Sequence, residues 1–223
     1  MKYFLFLIAL QLIPVTIFAH DIADTDQAIL IDGGLWAYIW VGAKHMLTGY
    51  DHLLFLTGVI FFLTDVKSII KFITVFTVGH SITLLTATYW GLKVDEHLID
   101  AVIALSVLYK GFENLGGFEK LLKIKSPNLL AMVFSFGLIH GLGLSTRLQS
   151  FDLGGNQFLA KIISFNVGVE LGQVLALIPI VFIITRWKSY SSYESFYKAV
   201  NSYLIVAGIY LFILQMRSFF IHF

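Results

Sequence analysis

Apolar stretches of about 20 residues recur along this chain with short polar breaks between them; at about 1.5 Å of rise per residue, each matches a hydrocarbon core of about 30 Å. A backbone inside lipid must satisfy its own polar groups, so the stretches predict an all-α fold, a polytopic transmembrane helical bundle. Composition agrees: 58% of the 223 residues are apolar and only 13% charged, against roughly 25% charged in a soluble domain. The net charge of +1 gives no footprint for a nucleic-acid partner. With no cysteine present, disulfides, thiolate metal sites and cysteine nucleophiles are excluded, and any metal must sit on nitrogen and oxygen.

Residues 1–19 read as a signal peptide: Lys2 precedes an apolar run, and Ile17-Phe18-Ala19 offers a cleavage site before His20. Residues 20–33 then form a solvated, disordered periplasmic leader, and residues 34–223 a single transmembrane domain. Six membrane segments are expected in that domain, at 35–63, 69–90, 98–115, 129–146, 158–185 and 199–220. The first is too long for a simple perpendicular span and carries Gly49-Tyr50-Asp51 in its middle, which predicts a break or a strong tilt there. The connection 116–128 reads as a solvated linker.

Basic residues are retained on the cytoplasmic side. With the mature N-terminus outside, the inner loops and adjacent helix ends collect Lys67, Lys71, Lys110, Lys120, Lys123, Lys125, Arg186, Lys188 and Lys198; the outer side collects only Lys93, Arg147, Lys161 and Arg217. This asymmetry predicts that the mature N-terminus lies outside, in the periplasm of an inner-membrane protein if the host is a Gram-negative bacterium.

Ionisable residues at membrane depth cost about 2.5–3.5 kcal/mol each on insertion scales and mark pathways or sites. The first segment holds His45, Asp51 and His52, the second His80 beside Thr77 and Ser81, the fourth His140, and the fifth Asn166, Glu170 and Gln173. With alternating directions all of them fall near mid-depth or toward the outer half, so four segments are expected to converge on one polar cavity. On an intact helix His45 and His52 share a face but stand about 10.5 Å apart along the axis. Joint action at nitrogen–metal bonds of about 2.0–2.1 Å therefore requires the backbone to open at Gly49-Tyr50. Otherwise the two serve successive positions along a route. Asn166, Glu170 and Gln173 form one stripe expected to face the bundle interior, and the glycines around His140 read as close helix packing.

Imidazole and carboxylate donors suit nickel, zinc, cobalt or iron better than copper(I), while magnesium prefers all-oxygen sites. Three functions fit such a cavity: a permease for a divalent transition metal, an intramembrane zinc hydrolase acting on a lipid or membrane substrate, and an accessory protein that buffers metal. No nucleotide-binding Gly-x-x-x-x-Gly-Lys-Ser/Thr motif is present to power transport.

Several blocks together resemble the HupE/UreJ family of bacterial membrane proteins, especially its second subgroup. They are Gly42-Ala-Lys-His45-Met-Leu-Thr-Gly49-Tyr-Asp51-His52, Phe76-Thr-Val-Gly-His80-Ser81, Ala104-Leu-Ser106, Glu113-Asn114, Phe136-Gly-Leu-Ile-His140-Gly141 and Phe165-Asn166-Val-Gly168-Val-Glu170-Leu-Gly172-Gln173. The resemblance implies that His45, Asp51 and His52 form a metal-associated motif. It further implies a permease for nickel, with cobalt second, linked to metalloenzyme maturation partners. Met46 stands where the nickel-linked branch often has proline after the first motif histidine. On this reading His45, Asp51 and His52 capture and dehydrate the ion, His80 and His140 give further positions, and Glu170 compensates charge.

Overall fold

The computed structural model describes residues 26, 29–30, 33–61, 63, 65–149 and 157–222. The expected signal peptide lies outside the described residues. Among these described residues the elements are all helical: α1 Gly34–Thr48, α2 Tyr50–Ile60, α3 Val66–Trp90, α4 Glu96–Asn114, α5 Gly117–Lys120, α6 Leu129–Leu148, α7 Phe158–Trp187 and α8 Tyr193–His222.

Among the described residues eight helices thus replace the six expected segments, for two local reasons. Gly49 takes extended dihedrals (φ −71°, ψ 93°) and divides the long first segment into α1 and α2. The connection read as a linker folds one turn, α5, entered through Gly116 at φ 74°. Among the described residues four helices are long and apolar enough to cross a membrane: 67–90, 129–148, 158–187 and 193–221. Helices α1 and α2 fall below that length once divided, and α4 carries Glu96, Asp100, Lys110 and Glu113.

Helix starts follow local chemistry. Asp65, Asp95 and Asn128 accept hydrogen bonds from the backbone N–H three residues on, at Ser68, Leu98 and Ala131, satisfying donors that the first turn leaves without helical partners. The Ser68 hydroxyl adds a second bond to Asp65, and the two bonds hold that carboxyl below its usual range.

Three close helix pairs build the bundle: α1 with α7, α3 with α6, and α4 with α8. Each is seated on glycine. A β-carbon on Gly168 would collide with the Ile39 carbonyl and one on Gly42 with that of Phe165, so α1 and α7 meet reciprocally. Gly137 and Gly141 of α6 lie against the backbone of Phe76 and His80. Gly111 and Gly208 do the same for α4 and α8, where β-carbons would fall 2.7 Å from the Asn201 carbonyl and 2.6 Å from the Leu108 nitrogen. Where lipid is as apolar as leucine, such backbone approach drives helix association. Contacts of α7 with α3 and of α6 with α4 join the pairs into the sequence α1–α7–α3–α6–α4–α8, and α2 fills its inner side against α4 and α7.

Polarity is distributed inside out relative to a water-soluble fold. Trp36, Trp90, Ile178, Phe182 and Val206 are exposed by more than 60%, whereas Asp51, His52, His80, Lys110, Glu113 and His140 are buried. An apolar exterior around a polar interior is the arrangement of a membrane protein. The leader departs from the expected disordered segment at Asp26, which is helical, buried and paired with Lys44 Nζ on α1 at 2.8 Å.

Candidate functional site

Helix α2 is the most enclosed element of the bundle and carries Asp51 and His52 in its first turn. The break at Gly49 is what makes these residues useful. It turns His52 back toward the last turn of α1, so the His45 and His52 rings lie 5.3 Å apart between centroids. This replaces the axial separation an unbroken helix imposes. A β-carbon on Gly49 would stand 2.6 Å from His52 Nδ1 and 3.1 Å from the His45 carbonyl oxygen. The residue is thus glycine for space, because its backbone dihedrals are open to any side chain.

His52 contacts His140 of α6 in turn, with ring centroids 4.6 Å apart and planes at 77°. His45, half-buried, stands at the more open end of this ladder; His52 and His140 are enclosed. The Asp51 carboxylate lies 3.0 Å from His52 Nδ1. Such a second partner fixes the ring's orientation and directs its other nitrogen toward a ligand. His80 reaches the same region from α3, because Gly141 lets the α3 backbone approach α6 at that point. Phe76 bridges the two, with centroids 6.2 Å from His80 and 5.3 Å from His140.

His80 is 1% exposed, and neither ring nitrogen has a hydrogen-bond partner. A buried polar group in that state costs about 1–3 kcal/mol, so its retention calls for an explanation outside packing. Gln173 has a similar imbalance: it is fully buried, its Oε1 accepts from Thr77 Oγ1 at 3.5 Å, and its amide nitrogen has no partner.

His45, Asp51, His52, His80 and His140 come together from α1, α2, α3 and α6, and the glycines flanking His140 serve close packing. The fifth segment behaves differently. Asn166 and Gln173 are buried and bond Ser81 (3.0 Å) and Thr77, yet Glu170 is exposed on α7, apart from the imidazoles. At about 100° per residue Glu170 is rotated about 40° from Asn166 and about 60° from Gln173. This offset is enough to swing it out of the α3–α7 seam, so the three-residue stripe does not face inward as a unit. Among the described residues no group of three His, Asp or Glu side chains is gathered as a ligand set for a single ion. What the described residues present is a file of imidazole rings, His45 to His52 to His140.

Sequence reasoning missed two further buried ion pairs. Arg147 Nη2 lies 2.6 Å from Asp100 Oδ2, tying α6 to α4. Lys110 Nζ lies 2.5 Å from Glu113 Oε2, and both are buried. The i, i+3 spacing of Lys110 and Glu113 within an apolar helix was the available signal. Setting Lys110 and Arg147 aside as structural pairs leaves the topology count at eight against three, with the same sign.

No curated protein and no solved structure matches the chain. A family model described as HupE / UreJ protein matches residues 24–223, which takes in every helix described above. The chain belongs to the HupE/UreJ family.

Proposed function

We propose that the protein is a permease for a divalent transition-metal ion, nickel before cobalt or zinc, admitted across the bacterial inner membrane from the periplasmic side. The observation that carries this reading is the imidazole file from half-buried His45 through His52 to enclosed His140, with His80 beside it. Transport needs sites strong enough to strip water from the ion and weak enough to let it leave. Successive sites of one or two imidazoles meet both demands, and Asp51 strengthens the middle one by orienting His52. Glu170, exposed on α7, has no position in this file.

A resident zinc hydrolase is less well served, because such a site takes three protein ligands around one ion and leaves a fourth position open. The described residues gather no such set. The metalloenzyme maturation partners expected of the family stand as part of the permease reading and follow from its cargo.

The test is uptake of radioactive nickel by metal-limited cells. Cells carrying the chain accumulate nickel, and His52→Ala and His140→Ala variants present at equal membrane abundance lose that accumulation. Equal uptake with and without the chain would defeat the reading.

A further inference from the structure

The far end of α2 holds a second polar cluster that the histidine file does not use. Gly58 lies six residues beyond His52, about 9 Å further along the helix, and its carbonyl accepts from Asn114 Nδ2 at 2.7 Å. The same amide nitrogen reaches Asn201 Oδ1 of α8 at 2.5 Å. Beside it Glu113 is bound by Lys110 and, at 3.4 Å, by the Tyr109 hydroxyl. Lys110, Glu113, Asn114 and Asn201 are each at least nine-tenths buried, and Asn114 Oδ1 has no hydrogen-bond partner. The cluster is thus rich in oxygen acceptors, holds one cation on a flexible stem, and keeps one acceptor unspent.

Aromatic rings fill the space between the two polar regions. From His140 the contacts run to Phe55 (6.0 Å between centroids), to Phe136 (5.3 Å) and to Tyr109 (5.4 Å), whose hydroxyl meets Glu113. An ion leaving the last imidazole has this ring stack ahead of it and a carboxylate behind the stack. The ammonium of Lys110 already satisfies that carboxylate.

We propose that Glu113, with the amide oxygens of Asn114 and Asn201, is a second divalent-cation site at the exit end of α2, kept vacant by Lys110 as a built-in competitor. The inference rests on the permease reading and gives the route its release step. An oxygen site binds a late first-row ion more weakly than imidazoles do. A tethered ammonium that returns to Glu113 speeds departure further by reclaiming the carboxylate.

The test uses the full-length protein in detergent and in sealed vesicles, with cobalt(II) as binding probe and radioactive nickel as cargo. Lys110→Met is expected to bind one more cobalt(II) per chain than the wild type. The extra equivalent persists when His52→Ala is added and disappears in Lys110→Met/Glu113→Gln. Nickel uptake by Lys110→Met falls roughly tenfold, because the ion is retained at the exit, a loss of the size that orienting partners of metal ligands produce. Should Lys110→Met fail to fold, the neutral pair Lys110→Met/Glu113→Gln decides the matter: a packing role for the ion pair predicts uptake at the wild-type rate, a release site predicts its loss. Overturning results are no added cobalt in a folded Lys110→Met, or wild-type uptake by the neutral pair. Failure of the wild type itself to move nickel would instead count against the permease reading, while the cobalt stoichiometry still reports on Glu113.

Discussion

Gly49 shows how one residue can carry both architecture and chemistry. Its missing side chain leaves the space that His52 Nδ1 occupies, and its extended backbone ends α1 so that α2 starts in a new direction. Gly49→Ala places a methyl 2.6 Å from that nitrogen and pushes the ring off Asp51 and His45. The expected outcome is a roughly 10–100-fold loss of metal affinity, the range seen when groups that orient metal ligands are removed. Titration calorimetry with nickel on the purified variant measures it, and unchanged affinity would remove Gly49 from the site's construction. His80 supplies the complementary case. Its two bare ring nitrogens sit in an enclosed pocket against Phe76, so His80→Leu relieves an unmet polar group. The variant is expected to be more stable than the wild type by about 1–2 kcal/mol while losing uptake, the trade common at functional sites. Thermal unfolding in detergent, run beside the nickel assay, separates the two effects; a destabilised His80→Leu would mean that the imidazole is a structural partner.

Elements rather than single residues explain how much was legible before any coordinates. Hydropathy marks which stretches are helical, and the glycine in a segment too long for one span marks its break, because both signals are local. Rotation of a helix about its own axis is not local. Asn166, Glu170 and Gln173 share a stripe in sequence, yet the reciprocal glycine seam of α1 and α7 fixes the rotation that buries two of them and exposes the third. For the same reason the burial of Lys110, counted in sequence with the inner loops and adjacent helix ends, follows from the α4–α8 seam at Gly111 and Gly208, which encloses it with Glu113. The seams are accordingly where the fold is most sensitive. Gly168→Val drives side-chain atoms into the Ile39 backbone, and overpacking of this kind costs about 1–3 kcal/mol or more; a lowered melting temperature and reduced membrane abundance are expected. At the α4–α6 contact, Asp100→Ala removes the shortest ion-pair partner of the buried Arg147 guanidinium and leaves it the more exposed Glu96 at 3.6 Å, and breaking one side of a buried pair costs up to about 3–5 kcal/mol. Asp100→Leu/Arg147→Met removes both charges and is expected to recover most of that stability in the same unfolding measurement.

At the scale of the whole molecule, an imidazole file that starts at half-buried His45 and a carboxylate cluster at the opposite end of α2 give the bundle a direction. The orientation proposed above rests on charge: loops near Lys67, Lys120, Lys123, Lys125 and Lys188 carry the excess of basic residues, and such loops are retained in the cytoplasm. Under the proposed orientation the α1–α2 break, with His45, lies toward the side poor in basic residues, and the Glu113 cluster toward the rich side. The sequence contains no cysteine, so single cysteines can be introduced on a silent background to test the orientation. Lys93 follows α3 and Ser191 lies between α7 and α8, both exposed and on opposite sides under this orientation. In intact cells with a permeabilised outer membrane, a membrane-impermeant maleimide is expected to label Lys93→Cys at once and Ser191→Cys only after lysis. The reverse pattern would turn the bundle over, put His45 on the cytoplasmic side, and make the same file of imidazoles a route out of the cell instead of into it.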